Sequence, residues 1–179
     1  MGSIKSSVFI SLDGVIESPE TWHFDYFDEE MGAVVGTMMS EADATLLGRQ
    51  TYEEFAGHWP SADPDDPITA QMNGARKYVV SNTLADATWE NSTVISGDVA
   101  AELTALKQDT RLSTTGSATL VRWLLEAGLV DELHLLVHPV VVGSGKKLFS
   151  DGAKVPLDLV TATTFKTGVL HLVYAPTTH

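Results

Sequence analysis

Two short stretches carry residue types suited to holding an anion. In "TLLGRQTYEEF" (45–55) a Gly48-Arg49 step follows an apolar run and precedes a helical pattern, and Arg49 is the only Lys or Arg between Lys5 and Arg76. A cation in the first turn of a helix opposes the macrodipole, at a cost of about 0.3–1 kcal/mol for an exposed group. Arg49 therefore calls for an anion: either a carboxylate such as Glu53 one turn on, or an anionic ligand that also meets the helix N-terminus. In "LSTTGSATL" (112–120) Gly116 permits a sharp turn, and Ser117, Ala118 and Thr119 offer amides and hydroxyls at the start of a helix, which suits a pyrophosphate. A plain turn with a Ser N-cap explains one such junction equally well. Two in one sheet fit a dinucleotide, whose phosphates can use both.

A third candidate is Asp13 with Gly14, directly after the first apolar run. An Asp-Gly turn pair is the bland account; a place at the carboxyl end of a strand, where ligands of α/β sheets bind, keeps an active-site role open. Trp22, Phe24, Tyr26 and Phe27 form the densest aromatic group, in an acidic loop that could fold over a flat ligand, cap the core or meet a second subunit. Other motifs fail on spacing. "GSGKKLF" (143–149) resembles a phosphate-binding P-loop, but Lys147 stands where Ser or Thr belongs and Val140 where the first glycine belongs. There is no complete G-x-G-x-x-G, H-E-x-x-H or G-x-S-x-G. His134 and His138 lie four apart in a strand, roughly 13 Å, too far to share a metal, and read as ordinary half-buried histidines.

Composition narrows the classes. A formal charge of −13 over 179 residues argues against nucleic-acid or anionic-membrane binding, both of which want a basic face, so an anionic ligand needs a local site. Without cysteine there is no disulfide, thiolate nucleophile or cysteine-ligated zinc. The opening "MGSIKSSVFISLDG" is too interrupted for a secretory or membrane segment, which makes the cytoplasm the expected compartment and the Asn91-Ser92-Thr93 sequon accidental. No linker composition divides the chain, so residues 1–179 are expected to form one domain.

The elements that must position these residues alternate. Strands are expected at 6–12, 44–48, "KYVVSN", "STVIS", "RLSTTG" and "VDELHLLVHPVVVG", with a closing pair joined at Lys166-Thr167-Gly168. Helices are expected from about residue 28, where Met31, Val34, Val35, Met38 and Met39 share one face, then over "RQTYEEFAGHW", weakly over "ITAQMNGA", over "DVAAELTALKQ", and over "SATLVRWLLEAG" with Gly128 at its end. Strands separated by helices imply βαβ crossovers. The fold class is α/β, a largely parallel central sheet flanked by helices, with a C-terminal antiparallel hairpin.

The stretches "SLDGVI", "LLGRQTYEEF", "YVVSNTL", "TTGSATLVRWLLEAGLVDELHLLVHPVVVGSGKKLF" and the closing hairpin together resemble the dihydrofolate-reductase-like fold. Within it, the chain is most similar to the reductase domains at the C-terminal half of bacterial riboflavin-pathway deaminase/reductases, the RibD C-terminal-like family. The resemblance covers nearly the whole chain. It implies an NADPH-dependent reductase in which Gly48, Arg49, Gln50 and Thr51 take cofactor phosphate. Ser81, Asn82 and Thr83 would lie by the adenosine 2′-phosphate, and Thr115, Gly116, Ser117, Ala118 and Thr119 by the pyrophosphate. It also implies a homodimer, which suits a chain with exposed aromatics.

For the substrate the chain departs from dihydrofolate reductases: Leu136 stands where those enzymes carry a Thr, and Asp28, Glu29 and Glu30 offer no unique counterpart to their pterin-anchoring carboxylate. The resemblance therefore points away from dihydrofolate, toward a small heterocyclic or carbonyl/imine substrate such as 5-amino-6-(5-phosphoribosylamino)uracil of riboflavin biosynthesis. The substrate would sit between the Asp13-Gly14 loop, Trp22, Phe24 and the nicotinamide, with Asp13 or Asp28 polarising or protonating it. The rival readings are a non-catalytic NADP(H)-binding or sensing protein on a reductase fold, and a structural α/β domain without a nucleotide.

Overall fold

The computed structural model describes residues 1–149, 152 and 154–177. The strands are β1 (Ser3–Ser11), β2 (Ala44–Gly48), β3 (Lys77–Val80), β4 (Ser92–Ile95), β5 (Arg111–Thr114), β6 (Glu132–His138), β7 (Leu157–Thr164) and β8 (Leu170–Pro176). The helices are α1 (Glu29–Glu41), α2 (Arg49–His58), α3 (Pro67–Gly74), α4 (Val99–Leu106) and α5 (Ala118–Glu126). The strands form one sheet in the order β4-β3-β2-β5-β1-β6-β8-β7. β4 through β6 run parallel, and the β7–β8 hairpin joins antiparallel to β6. This is the largely parallel sheet with a closing antiparallel hairpin expected from the alternation of strands and helices, and the dihydrofolate-reductase-like arrangement that the resemblance implies.

Register decides which residues share a face, because strand side chains alternate. Lys5, Ser113, Thr45 and Lys77 align across β1, β5, β2 and β3, so Phe9, Leu47 and Val79 point to that same side. There Met31 of α1 packs with Leu136, Phe165 and Val169, while Tyr52 of α2 packs with Leu47, Val79 and Trp89. The opposite face, carrying Ile4, Val8, Ile10, Leu46 and Leu112, is covered by Leu103 of α4 and by Leu120, Val121, Leu124 and Leu125 of α5. Each such side chain fully buried contributes about 1.5–3 kcal/mol relative to exposure. α5 is thereby pinned, and its end is set by Gly128, whose positive φ of 66° lets Leu129 N reach Leu124 O at 2.9 Å.

Three local expectations are refined. β6 stops at His138 rather than running on to Gly143, because Pro139 has no N–H to extend the ladder. β3 and β4 pair in parallel although no helix lies between them; residues 81–91 make the crossover, tied down where Trp89 N donates to the Tyr52 hydroxyl (2.9 Å) and Trp89 Nε1 to Asn73 Oδ1 (2.8 Å). The aromatic loop before α1 contains two short 3-10 turns, Pro19–Thr21 and Phe24–Tyr26.

Candidate functional site

The two junctions singled out in the sequence touch each other. Gly48 N donates to Gly116 O at 3.2 Å, and a Cβ on Gly116 would lie 3.1 Å from Thr51 Oγ1. Both stand at carboxyl ends of neighbouring strands, β2 and β5, where the α/β crevice opens. They differ in capping. Ser117 Oγ accepts from Leu120 N at 3.3 Å at the start of α5, whereas α2 begins at Gly48, which has no side chain to offer. The first-turn amides of α2 are therefore left to water or to a ligand.

Arg49 meets the first of the two anion-seeking alternatives, the carboxylate of Glu53. Its Nε donates to Glu53 Oε1 at 2.8 Å, the local salt bridge, while Nη1 donates to Thr83 Oγ1 at 2.6 Å in the loop after β3. Ser81 organises that loop: its Oγ accepts from Thr83 N (3.2 Å) and Leu84 N (3.0 Å), while Asn82 Oδ1 accepts from Gly97 N (3.1 Å). The structure thus brings Arg49, Ser81 and Thr83 into one patch beside the open end of α2. Gln50 accepts from Lys146 Nζ, placing a second cation there. Lys146 was missed in the sequence because "GSGKKLF" fails the P-loop spacing; the two adjacent lysines after a glycine pair were the signal. Thr115 and Thr119 are exposed, and Arg122 Nη2 donates to Thr119 Oγ1 at 3.5 Å.

Asp13 is bonded to the two turns around it. Ser11 Oγ donates to its Oδ1 at 2.6 Å, Val142 N to Oδ1 at 3.1 Å and Gly143 N to Oδ2 at 2.8 Å. The Ser11 hydroxyl first, then the Gly143 and Val142 amides, hold its pKa down to about 2. The carboxylate latches the turn after β1, where Gly14 has φ 85°, to the turn after β6. Asp28 is the N-cap of α1, its Oδ1 accepting from Met31 N at 2.9 Å. Trp22 is partly buried and Phe24 exposed, both in the flap that leans over the ends of β1 and β6. Between them is a residue that sequence reasoning passed over: His23, buried against Phe9 and His138.

The model of the RibD C-terminal domain matches residues 3–171. The chain belongs to this family. A relative, the uncharacterized protein YyaP of Bacillus subtilis, is 31% identical over 174 residues, covering 92% of this chain and 90% of its own. Among solved structures, a putative riboflavin biosynthesis protein from a Shewanella species superposes with a TM-score of 0.77 at 20% identity, over 98% of this chain and 99% of that one. The diaminohydroxyphosphoribosylaminopyrimidine deaminase/5-amino-6-(5-phosphoribosylamino)uracil reductase of Thermotoga maritima gives 0.68 at 15% identity, covering 98% of this chain and 57% of that one.

Elsewhere on this RibD C-terminal domain a depression of about 860 Å³ lies at the other end of the sheet, between Asp43, Arg76, Tyr78 and Trp89. It is broad and open and none of its lining residues starts a helix, so the crevice at Gly48 and Gly116, where two helices begin, is the better candidate for an anion. His134 and His138 have separate neighbours. Nδ1 of His134 is 3.0 Å from His171 Nε2 and its Nε2 is 3.0 Å from Glu132, while His138 faces the flap. Among the described residues no helix is long and apolar enough to cross a membrane.

Proposed function

We propose that this chain is an NADPH-dependent reductase that transfers hydride to a small planar heterocyclic or carbonyl/imine substrate. The observation that carries the reading is the uncapped start of α2 beside the Arg49–Thr83 patch, in contact with the Gly116-Ser117 junction, in a RibD C-terminal domain. The residues fit the cofactor. Gly48 leaves free amides for a phosphate, and Arg49 with Ser81, Asn82 and Thr83 offers a cation and hydroxyl groups for a 2′-phosphate. Thr115, Gly116, Ser117, Ala118 and Thr119 present a second helix start, and Gln50, Thr51 and Lys146 complete the rim.

When bound, NADPH supplies the hydride for an electrophilic substrate carbon. The protein's part is orientation and a proton for the adjoining heteroatom. With its carboxyl held near pKa 2 and three hydrogen bonds accepted from the two turns, Asp13 carries no proton at neutral pH and serves as a positioning residue. Asp28, whose Oδ1 accepts from Met31 N, is the carboxylate we assign to relay a proton from water to that heteroatom. The aromatic flap with Trp22 and Phe24, and the turn at Gly14, form the substrate wall. The substrate we favour is 5-amino-6-(5-phosphoribosylamino)uracil, the compound named for the Thermotoga neighbour. A homodimer would place the exposed Leu159 and Val160 of edge strand β7 against a second copy.

Titration with NADPH and NADH, followed by turnover assays on 5-amino-6-(5-phosphoribosylamino)uracil, tests the reading. Tight NADPH binding with cofactor oxidation is expected. Binding without turnover across pyrimidine, pterin and flavin candidates would favour the sensor, and binding of neither cofactor would sink both.

A further inference from the structure

The flap makes its hydrogen bonds within itself and to the adjoining Glu17 carbonyl. Thr21 N donates to Ser18 O, His23 N to Pro19 O, Tyr26 N to His23 O and Phe27 N to Phe24 O, and Trp22 Nε1 donates to Glu17 O. Among the described residues, what fastens 18–27 to the sheet is ring packing alone. Segments held by few contacts and no shared backbone bonds open most cheaply. At its start Ser18 has φ 47°, a left-handed conformation uncommon for a residue with a Cβ, and a natural hinge.

What the flap puts into the sheet is His23. Its imidazole stacks on Phe9 with ring centroids 4.6 Å apart and planes 16° from parallel, lies 4.1 Å from the Phe24 ring, and stands edge-on to His138 at 6.1 Å. His23 is 6% exposed and His138 0%. Yet two of their ring nitrogens, His23 Nδ1 and His138 Nε2, have no hydrogen-bond partner. A buried polar atom left so costs about 1–3 kcal/mol. For His138 the tautomer follows from geometry: Nδ1 is 2.8 Å from the Leu136 carbonyl, which only accepts, so Nδ1 carries the hydrogen and Nε2 presents a lone pair. Burial lowers the pKa of both rings, in His138 against the opposing Leu136 and Ile10 carbonyls, so the lone pair stays available at neutral pH.

The place matters as much as the chemistry. His138 ends β6 in register with Ser11, which ends β1, so the nest lies at the carboxyl ends of the central strands, beside the Asp13 turn. We propose that His23 is a removable plug: its flat ring occupies the slot for a planar heterocycle bearing an N–H donor. The flap swings about Ser18 to admit that ligand, whose N–H is then accepted by His138 Nε2. The slot's link to a reaction rests on the reductase reading above; its occupancy by a heterocycle does not. While the plug is in place, apparent affinity is reduced by the fraction of molecules with the flap open.

The test titrates the full chain, with and without saturating NADPH, with uracil and with 1,3-dimethyluracil, which lacks N–H donors, and reads the dissociation constants from NMR shift changes. His23→Ala should bind uracil about ten-fold tighter than wild type. His138→Leu should weaken uracil about ten-fold while leaving 1,3-dimethyluracil unchanged. If neither wild type nor His23→Ala binds uracil, or if His23→Ala binds it no tighter, the plug is overturned. Circular dichroism checks that the variants fold, and should His138→Leu unfold, the His23→Ala comparison decides alone. Failure of NADPH to bind while the His23 effect persists would sink only the reductase reading; NADPH binding without any uracil response would sink only the plug.

Discussion

A Cβ placed on Gly48 would stand 2.5 Å from Ser117 Oγ and 3.0 Å from Ser117 N. The two strand-to-helix junctions are packed so closely that only a residue without a side chain fits between them. One of the clashing atoms is backbone, so rotation of Ser117 alone does not relieve it. Gly48→Ala should lower stability by about 1–3 kcal/mol, the usual cost of overpacking. It should also weaken NADPH at least ten-fold, about 1.4 kcal/mol, by spreading the two helix starts. Urea denaturation and a cofactor titration measure the two effects, and unchanged NADPH affinity in a destabilised protein would remove this junction from the cofactor site.

Arg49 is about half exposed and paired with an equally exposed Glu53, so its salt bridge is worth at most about 1 kcal/mol of stability. Arg49→Ala should therefore leave the unfolding midpoint nearly unchanged while eroding the preference for NADPH over NADH. The comparison is of the two dissociation constants. Equal loss for both cofactors would place the guanidinium on a pyrophosphate instead, and no loss for either would leave Arg49 as the partner of Glu53 and Thr83 alone.

How much of this was readable beforehand follows from range. Gly48, Gly116 and Ser117 announce themselves because turn and cap chemistry is local, and the strand-helix alternation gives the sheet for the same reason. The resemblance implies that Arg49 and Thr83 both lie by one cofactor, but their bond, 34 residues apart in sequence, is visible only in the structure. The residue type of Asp13 left a turn pair and a proton-handling role both open, and two of its three partners are backbone amides about 130 positions away, which any sequence supplies. His23 was hidden among louder aromatics, and His138 looked like one more polar strand residue. Their meeting depends on where β6 ends, and so on Pro139.

Lys77 shows the same limit in the core. It is 1% exposed, with Nζ donating to the carbonyls of Asn73 (2.9 Å), Ala75 (2.7 Å) and Glu90 (3.1 Å) and lying 4.0 Å from the centre of the Trp89 ring. Burial, opposed by Glu90, brings its pKa down to about 8, so the ammonium is still the main form at neutral pH. It ties the end of α3 to the crossover before β4. Lys77→Met keeps most of the stem but strands three carbonyls, and should cost about 2–4 kcal/mol in urea denaturation. A loss below about 0.5 kcal/mol would mean that water replaces the ammonium freely.

The latch at Asp13 predicts a pH dependence whose sign is fixed by the direction of its shift. Its folded pKa, about 2, lies below the roughly 3.9 of an unperturbed aspartate, so the unfolded chain binds the proton more readily. The latch's contribution is therefore complete above about pH 4 and is lost as pH falls toward 2. The stability gap between wild type and Asp13→Ala should be flat from pH 8 down to about 4.5, then close between about pH 4 and 2. Amide exchange gives the local reading: in Asp13→Ala the Val142 and Gly143 amides, which lose their acceptor, should exchange faster while the amides of β1 do not. A gap that stays constant through pH 2, or Val142 and Gly143 amides as protected in the variant as in wild type, would mean that the two turns hold together without the carboxylate. Asp13 would then be released from its positioning role, and available again as a partner for substrate.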